Sequence, residues 1–193
     1  MLVGDIWLLA GQSNMEGVGD LVDVEKPSDK VNSFNQADQW VNATEPLHEL
    51  PSAVDRVHWR GKPEALQGEA LAQFRANRKK GAGLGLAFAV EYEKRTGVPV
   101  GLLPCANGGT SMDQWSPALK DKGGDSLYGQ AIRRAGVVGP ITGILWYQGE
   151  SDANPRASAV FQEKFENLVA AFRKDLNQPS LPFHYVQIGR HVN

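Results

Sequence analysis

The chain has one cysteine, Cys105, in 193 residues. A single thiol excludes an intrachain disulfide framework and a multi-cysteine zinc site. It suits a reducing compartment without requiring one, because exported enzymes also do without disulfides. Charge of one sign is lacking too: 20 Lys and Arg stand against 22 Asp and Glu, a net of −2. That balance argues against nucleic acid, an anionic membrane or a polyanion as partner. The local basic run Arg75, Arg78, Lys79, Lys80 reads as a solvated face. No apolar run approaches the roughly 20 residues that span a bilayer. No signal peptide is expected within the chain, since Met1 leads almost directly into a core-like strand. Repeats and low-complexity segments are absent. What is present, 41% hydrophobic and 22% charged residues, has the composition of a globular domain. Residues 1–193 are read as one domain, long enough to bury a real core.

Four short apolar runs read as buried strands: Asp5 to Ala10, Val98 to Pro104, Ile141 to Tyr147 and Phe183 to Ile188. Helical spacing lies between them. Leu84, Phe88 and Tyr92 recur every four residues, as do Leu127, Ala131 and Ala135. Phe161, Phe165, Leu168, Phe172 and Leu176 make the strongest amphipathic stripe. Strands alternating with helices imply right-handed βαβ crossovers and a layered α/β fold with a mostly parallel sheet. Residues 16–80 are the exception, with weak periodicity, several prolines and scattered aromatics. They are expected to form a long excursion of short strands or turns over one end of the sheet.

The chemistry follows the strands. After the first comes Gly11-Gln12-Ser13-Asn14-Met15, and after the second Cys105-Ala106-Asn107-Gly108-Gly109-Thr110-Ser111. After the third comes Gln148-Gly149-Glu150-Ser151-Asp152. Ligands of open parallel sheets bind outside the carboxyl ends of the strands, so these three loops should converge. Each carries something an acyl-transfer site needs. Ser13, on a tight turn, can present its hydroxyl outward with its N–H facing the same space. Gly108 and Gly109 leave a backbone N–H unobstructed toward a developing oxyanion, and Gln148 offers an amide N–H as a third donor.

The segments GQSNM, CANGGTSMDQW and WYQGESD resemble, in this order, the sialate O-acetylesterase-like and acetylxylan esterase group, carbohydrate esterase family six of the SGNH-hydrolase superfamily. Further resemblance runs through Trp40-Val41-Asn42-Ala43 with Pro46-Leu47 and through Gly83 to Ala89, so it covers nearly the whole chain. It implies a flavodoxin-like three-layer α/β/α sandwich and no cofactor or metal. The implied substrates are acetyl esters on sugars or oligosaccharides. It also implies Ser13 as nucleophile and first oxyanion donor, one glycine of the Gly108-Gly109 pair as second, and Gln148 where other branches carry asparagine. Some relatives place the glutamate corresponding to Glu150 in the triad. Others place there an aspartate three residues before the histidine.

The family's closing Asp-x-x-His motif has no counterpart in its usual place. The histidines are His48, His58, His184 and His191; Asp55 and His58 have the bare spacing, but no strand precedes them. The catalytic histidine is therefore expected from outside this chain, or from a local substitute such as His191. The sheet is expected to lack its last strand and helix, leaving an apolar face open to self-association. A non-catalytic carbohydrate-binding relic of an esterase fold is the rival class, and a thiol hydrolase using Cys105 a third. Bland roles stand beside these. Glu150-Ser151-Asp152 can cap a helix beginning near Pro155, Trp115 can be packing or a sugar platform, and Cys105 can be a small buried residue. Gly81-Ala82-Gly83-Leu84-Gly85 is not a dinucleotide loop, because Leu86 holds the third glycine position and no apolar strand precedes it.

Overall fold

The computed structural model of the chain describes residues 3–189. In chain order its strands are β1 (Asp5–Gly11), β2 (Gly19–Asp20), β3 (Val31–Phe34), β4 (Trp40–Asn42), β5 (Lys80–Ala82), β6 (Val100–Pro104), β7 (Gly143–Tyr147) and β8 (Phe183–Tyr185). Its α-helices are α1 (Ser13–Glu16), α2 (Gly68–Asn77), α3 (Leu84–Thr96), α4 (Leu127–Val138), α5 (Pro155–Ser158) and α6 (Phe161–Asp175). The main sheet runs β4-β3-β6-β1-β7-β8. All its neighbouring pairs are parallel except β3 with β4. β2 and β5 form a separate antiparallel pair.

Strand alternation decides the layers. In β1, Trp7 and Leu9 face one way and Leu8 and Ala10 the other, all buried. The first pair joins Leu102 and Leu145 under Leu86 and Ala89 of α3. The second joins Leu103, Ile144 and Trp146 under α4 and α6, through Leu127, Ala131, Leu168 and Phe172. Helices on both faces of a mostly parallel sheet make the layered α/β fold that the pattern implied and the three-layer, flavodoxin-like sandwich that the resemblance implied. Strands buried on both sides explain why β1, β6 and β7 read as continuous apolar runs.

The 16–80 segment does more than lie over the sheet. It supplies β3, parallel to β6 with Val31 opposite Val100, and β4, the antiparallel edge. It also supplies the 3₁₀ turn Arg56–Trp59, whose His58 is buried. β1 lies between β6 and β7 in register, Leu9 opposite both Pro104 and Leu145. The chain visits β3 and β6 on one side of β1 and β7 and β8 on the other, so the order reverses around β1. A crevice opens there at the strands' carboxyl ends.

Candidate active site

At the end of β1, Gly11 adopts φ +132°, and a Cβ on it would lie 2.2 Å from the Tyr147 carbonyl oxygen. Only glycine fits that close approach. The chain then turns directly into α1, with Ser13 as its first residue. First-turn N–H groups have no intrahelical acceptor. Met15 and Glu16 donate back to the Gln12 carbonyl, whereas the Ser13 N–H has no backbone acceptor among the described residues. Ser13 is half-buried, and its hydroxyl makes no hydrogen bond among those residues.

The second loop, after β6, has its backbone tied down one amide at a time. Cys105 N–H donates to Leu9 O at 2.8 Å, Ala106 N–H to His48 Nε2 at 3.2 Å, and Asn107 N–H to Gly11 O at 3.1 Å. Gly108 N–H donates to Glu16 Oε2 at 2.6 Å. Of the glycine pair, Gly108 thus has its donor engaged, and Gly109 N–H has no backbone acceptor among the described residues. Gly109 takes φ +74° with open space where a Cβ would be, so conformation rather than crowding asks for glycine there. The loop approaches the serine closely: a Cβ on Gly108 would be 3.5 Å from Ser13 Cβ.

The third loop departs from expectation. Instead of aiming its amide at an oxyanion, Gln148 donates through Nε2 to Thr110 O at 3.0 Å and Asp152 Oδ2 at 2.5 Å. An amide has two N–H donors, and both are engaged inside the protein. Gln148 therefore joins the second and third loops in this structure. Asp152 also accepts the Met112 N–H at 2.9 Å, so one buried carboxylate holds both loops. The Glu150 carboxylate accepts from Asn14 Nδ2 at 2.5 Å, linking third loop to first. Ser151 N–H donates to Gln12 Oε1 at 3.3 Å. The Glu150–Asp152 cluster does not cap the following helix; Asn154 does, accepting from Ala157 N–H at 3.0 Å.

Ser13, the Gly108-Gly109 pair, Gln148 and Glu150 thus lie on three loops joined by hydrogen bonds. No described histidine completes them with a hydrogen bond to Ser13 or Glu150. His48 is bound to the Ala106 amide. His58 is buried with neither ring nitrogen hydrogen-bonded among the described residues. Burial holds both rings neutral at ordinary pH, His48 down to about 3 and His58 to about 4. Asp55 does not orient His58 as a triad carboxylate would. Its two oxygens take the Arg133 guanidinium at 2.9 and 2.6 Å. His184 lies on β8 with its ring 5.8 Å from that of Trp7. His191 falls outside the described residues.

Cys105 is fully buried, and desolvation pushes its thiol up to about 11, which removes the thiolate a thiol hydrolase needs. Trp115 is a core residue, not a sugar platform: it packs edge-on against Trp146 at 5.2 Å and donates to Thr110 Oγ1. Among the described residues no group of three or more His, Cys, Asp or Glu is placed to hold a metal ion, and no helix is long and apolar enough to cross a membrane. Two cavities flank the loops. One of about 610 Å³ is lined by Gln148, Gly149, Asp152, Phe161, Phe165 and Tyr185, among others. The other, about 330 Å³, includes Glu16, His48, His58, Trp59 and Arg60. Reasoning from sequence missed Glu16, His48 and Asp152 as site residues. Glu16 does stand beside the first loop motif and Asp152 closes the third, where it was read only as a helix cap, whereas nothing local marks His48.

Comparison with known proteins points one way. A family model described as carbohydrate esterase, sialic acid-specific acetylesterase, matches residues 3–193. A probable carbohydrate esterase of Arabidopsis thaliana, At4g34215, is 30% identical over 192 residues, covering 95% of this chain and 68% of the relative. The crystal structure of that Arabidopsis protein superposes with a TM-score of 0.72 at 29% identity, over 96% of this chain and 74% of the other. XAC1771, described as a carbohydrate acetylesterase from Xanthomonas citri, gives 0.64 at 25% identity, over 96% of this chain and 41% of its own. NanS, at 19% identity and a TM-score of 0.64, shares the fold over 96% of this chain and 68% of its own.

Proposed function

We propose that this chain, which belongs to the carbohydrate esterase family of sialic acid-specific acetylesterases, is a serine esterase that removes acetyl or other small acyl groups from carbohydrate esters. One observation carries the assignment. Ser13 opens a helical turn at the end of the central strand, with its own N–H and that of Gly109 unclaimed by any described backbone acceptor. Ser13 Oγ attacks the ester carbonyl, forming the C–O bond of a tetrahedral adduct. The oxyanion is received by the Ser13 and Gly109 N–H groups, each worth roughly 10²–10³ in rate when preorganised. Collapse expels the sugar hydroxyl and leaves an acyl-serine, which water then hydrolyses. Gln148 serves by joining the loops rather than as a direct donor. A histidine outside residues 3–189 takes the Ser13 proton and returns it to the leaving sugar oxygen, because none of the three described histidines hydrogen-bonds Ser13. The cavity beside Gly149, with its aromatic and amide lining, is where the sugar is expected to sit.

That none of those three histidines hydrogen-bonds Ser13 also favours a second reading, a carbohydrate-binding relic without turnover. Hydrolysis of p-nitrophenyl acetate separates the two. Turnover above buffer that disappears in Ser13→Ala, with the melting temperature unchanged, supports the esterase. Equal rates for wild type and Ser13→Ala refute it. Binding of acetylated oligosaccharides with no Ser13-dependent turnover favours the relic.

A further inference from the structure

We infer that Glu16 is a positioning residue for the oxyanion loop, fixing the Gly108-Gly109 turn against the helix that carries Ser13. The role rests on the serine-esterase assignment above. Glu16 lies three residues after Ser13 in α1, so the two share one face of a single turn. Its carboxylate receives the Gly108 N–H at 2.6 Å, a short charge-assisted bond. The approach is close as well: a Cβ on Gly108 would lie 2.9 Å from Glu16 Oε2. One helical turn therefore ties the nucleophile to the loop bearing the second donor. Engaging Gly108 also leaves Gly109 N–H as the next amide along the loop, the one without a backbone acceptor among the described residues.

The carboxylate is itself held. Arg60 Nη2 stands 3.5 Å from Glu16 Oε2. Arg60 ends the 3₁₀ turn Arg56–Trp59 in the left-handed region, φ +52°, which costs a non-glycine residue some strain. His48 supports the same loop two residues earlier through the Ala106 amide. Both residues come from the 16–80 excursion, so that segment braces the loop from below as well as supplying strands β3 and β4. Glu16 is mostly buried, and desolvation raises its carboxyl above the ordinary value. A mostly desolvated carboxylate committed to one backbone amide is not a spare surface charge.

The experiment compares wild type, Glu16→Gln, Glu16→Ala and Ser13→Ala by p-nitrophenyl acetate kinetics and by amide hydrogen exchange at Gly108. Glu16→Gln keeps an oxygen for the Gly108 N–H and is expected to hold kcat within about threefold of wild type. Glu16→Ala is expected to lower kcat by about 10- to 100-fold with KM within about twofold, as loss of an aligned oxyanion donor does. Gly108 exchange should rise at least about tenfold in Glu16→Ala but not in Glu16→Gln. Unchanged kcat in Glu16→Ala, equal losses in both Glu16 variants, or Gly108 exchange already fast in wild type would each overturn the role. Absence of Ser13-dependent turnover in wild type overturns the esterase assignment instead, and Gly108 exchange alone then decides whether the clamp exists.

Discussion

Acidification should unfold this protein through two buried imidazoles. His48 and His58 are each about 1% exposed, and desolvation holds them down to about 3 and about 4, against 6.5 for an ordinary histidine. As pH falls through 6.5 the unfolded chain takes up two protons that the native state refuses. The stability contributed by the neutral rings is thus complete above about pH 7 and is lost as pH falls toward 4. Between pH 7 and pH 5 each ring accounts for about 2 kcal/mol, the pair for about 4 kcal/mol. That is a large part of the 5–15 kcal/mol by which domains are typically stable. With a urea m-value of about 2 kcal/mol per M, the midpoint should drop by about 2 M. Urea titration followed by tryptophan fluorescence at both pH values measures it directly. His58→Gln should lose about 2 kcal/mol over the same interval and the His48→Gln/His58→Gln double variant very little. A wild-type stability unchanged within about 1 kcal/mol from pH 7 to pH 5, or the full loss in the double variant, would refute the reasoning.

Arg134→Met should destabilise by about 3–5 kcal/mol in urea unfolding. The buried guanidinium donates to the carbonyls of Pro104, Phe34 and Asn35 and pairs with Asp38, all left without it in the variant. Asp152→Ala should cost about 1–3 kcal/mol by freeing the Gln148 amide and the Met112 N–H, and should lower kcat of Ser13-dependent hydrolysis as the loops separate. Glu16→Gln should gain on wild type in melting temperature as pH rises from 4 to 7. The raised Glu16 value means that ionisation penalises the native state, a penalty absent below the ordinary 4.5 and full once pH exceeds the native value. A melting-temperature difference independent of pH would contradict it.

Local pattern alone located β1, β6, β7, β8 and helices α3, α4 and α6, because strands buried on both faces form unbroken apolar runs and core-facing helices repeat every three to four residues. The convergence of three loops was legible for a related reason: a parallel sheet puts the carboxyl ends of its strands on one side. β3 and β4 were not legible. They are four and three residues long, and β3 joins the sheet by pairing with β6, some 70 positions away in sequence. Which donor meets which acceptor was likewise decided only in three dimensions. The residues Gln148, Glu16, His48 and Trp115 carry no mark in their local spacing of the partners Thr110, Gly108, Ala106 and Trp146. Periodicity records which side of an element is apolar. It does not record the partner a buried polar group finds, because that partner is brought within about 3 Å by packing between distant segments, and a buried donor or acceptor left without one is costly enough that folding must supply it.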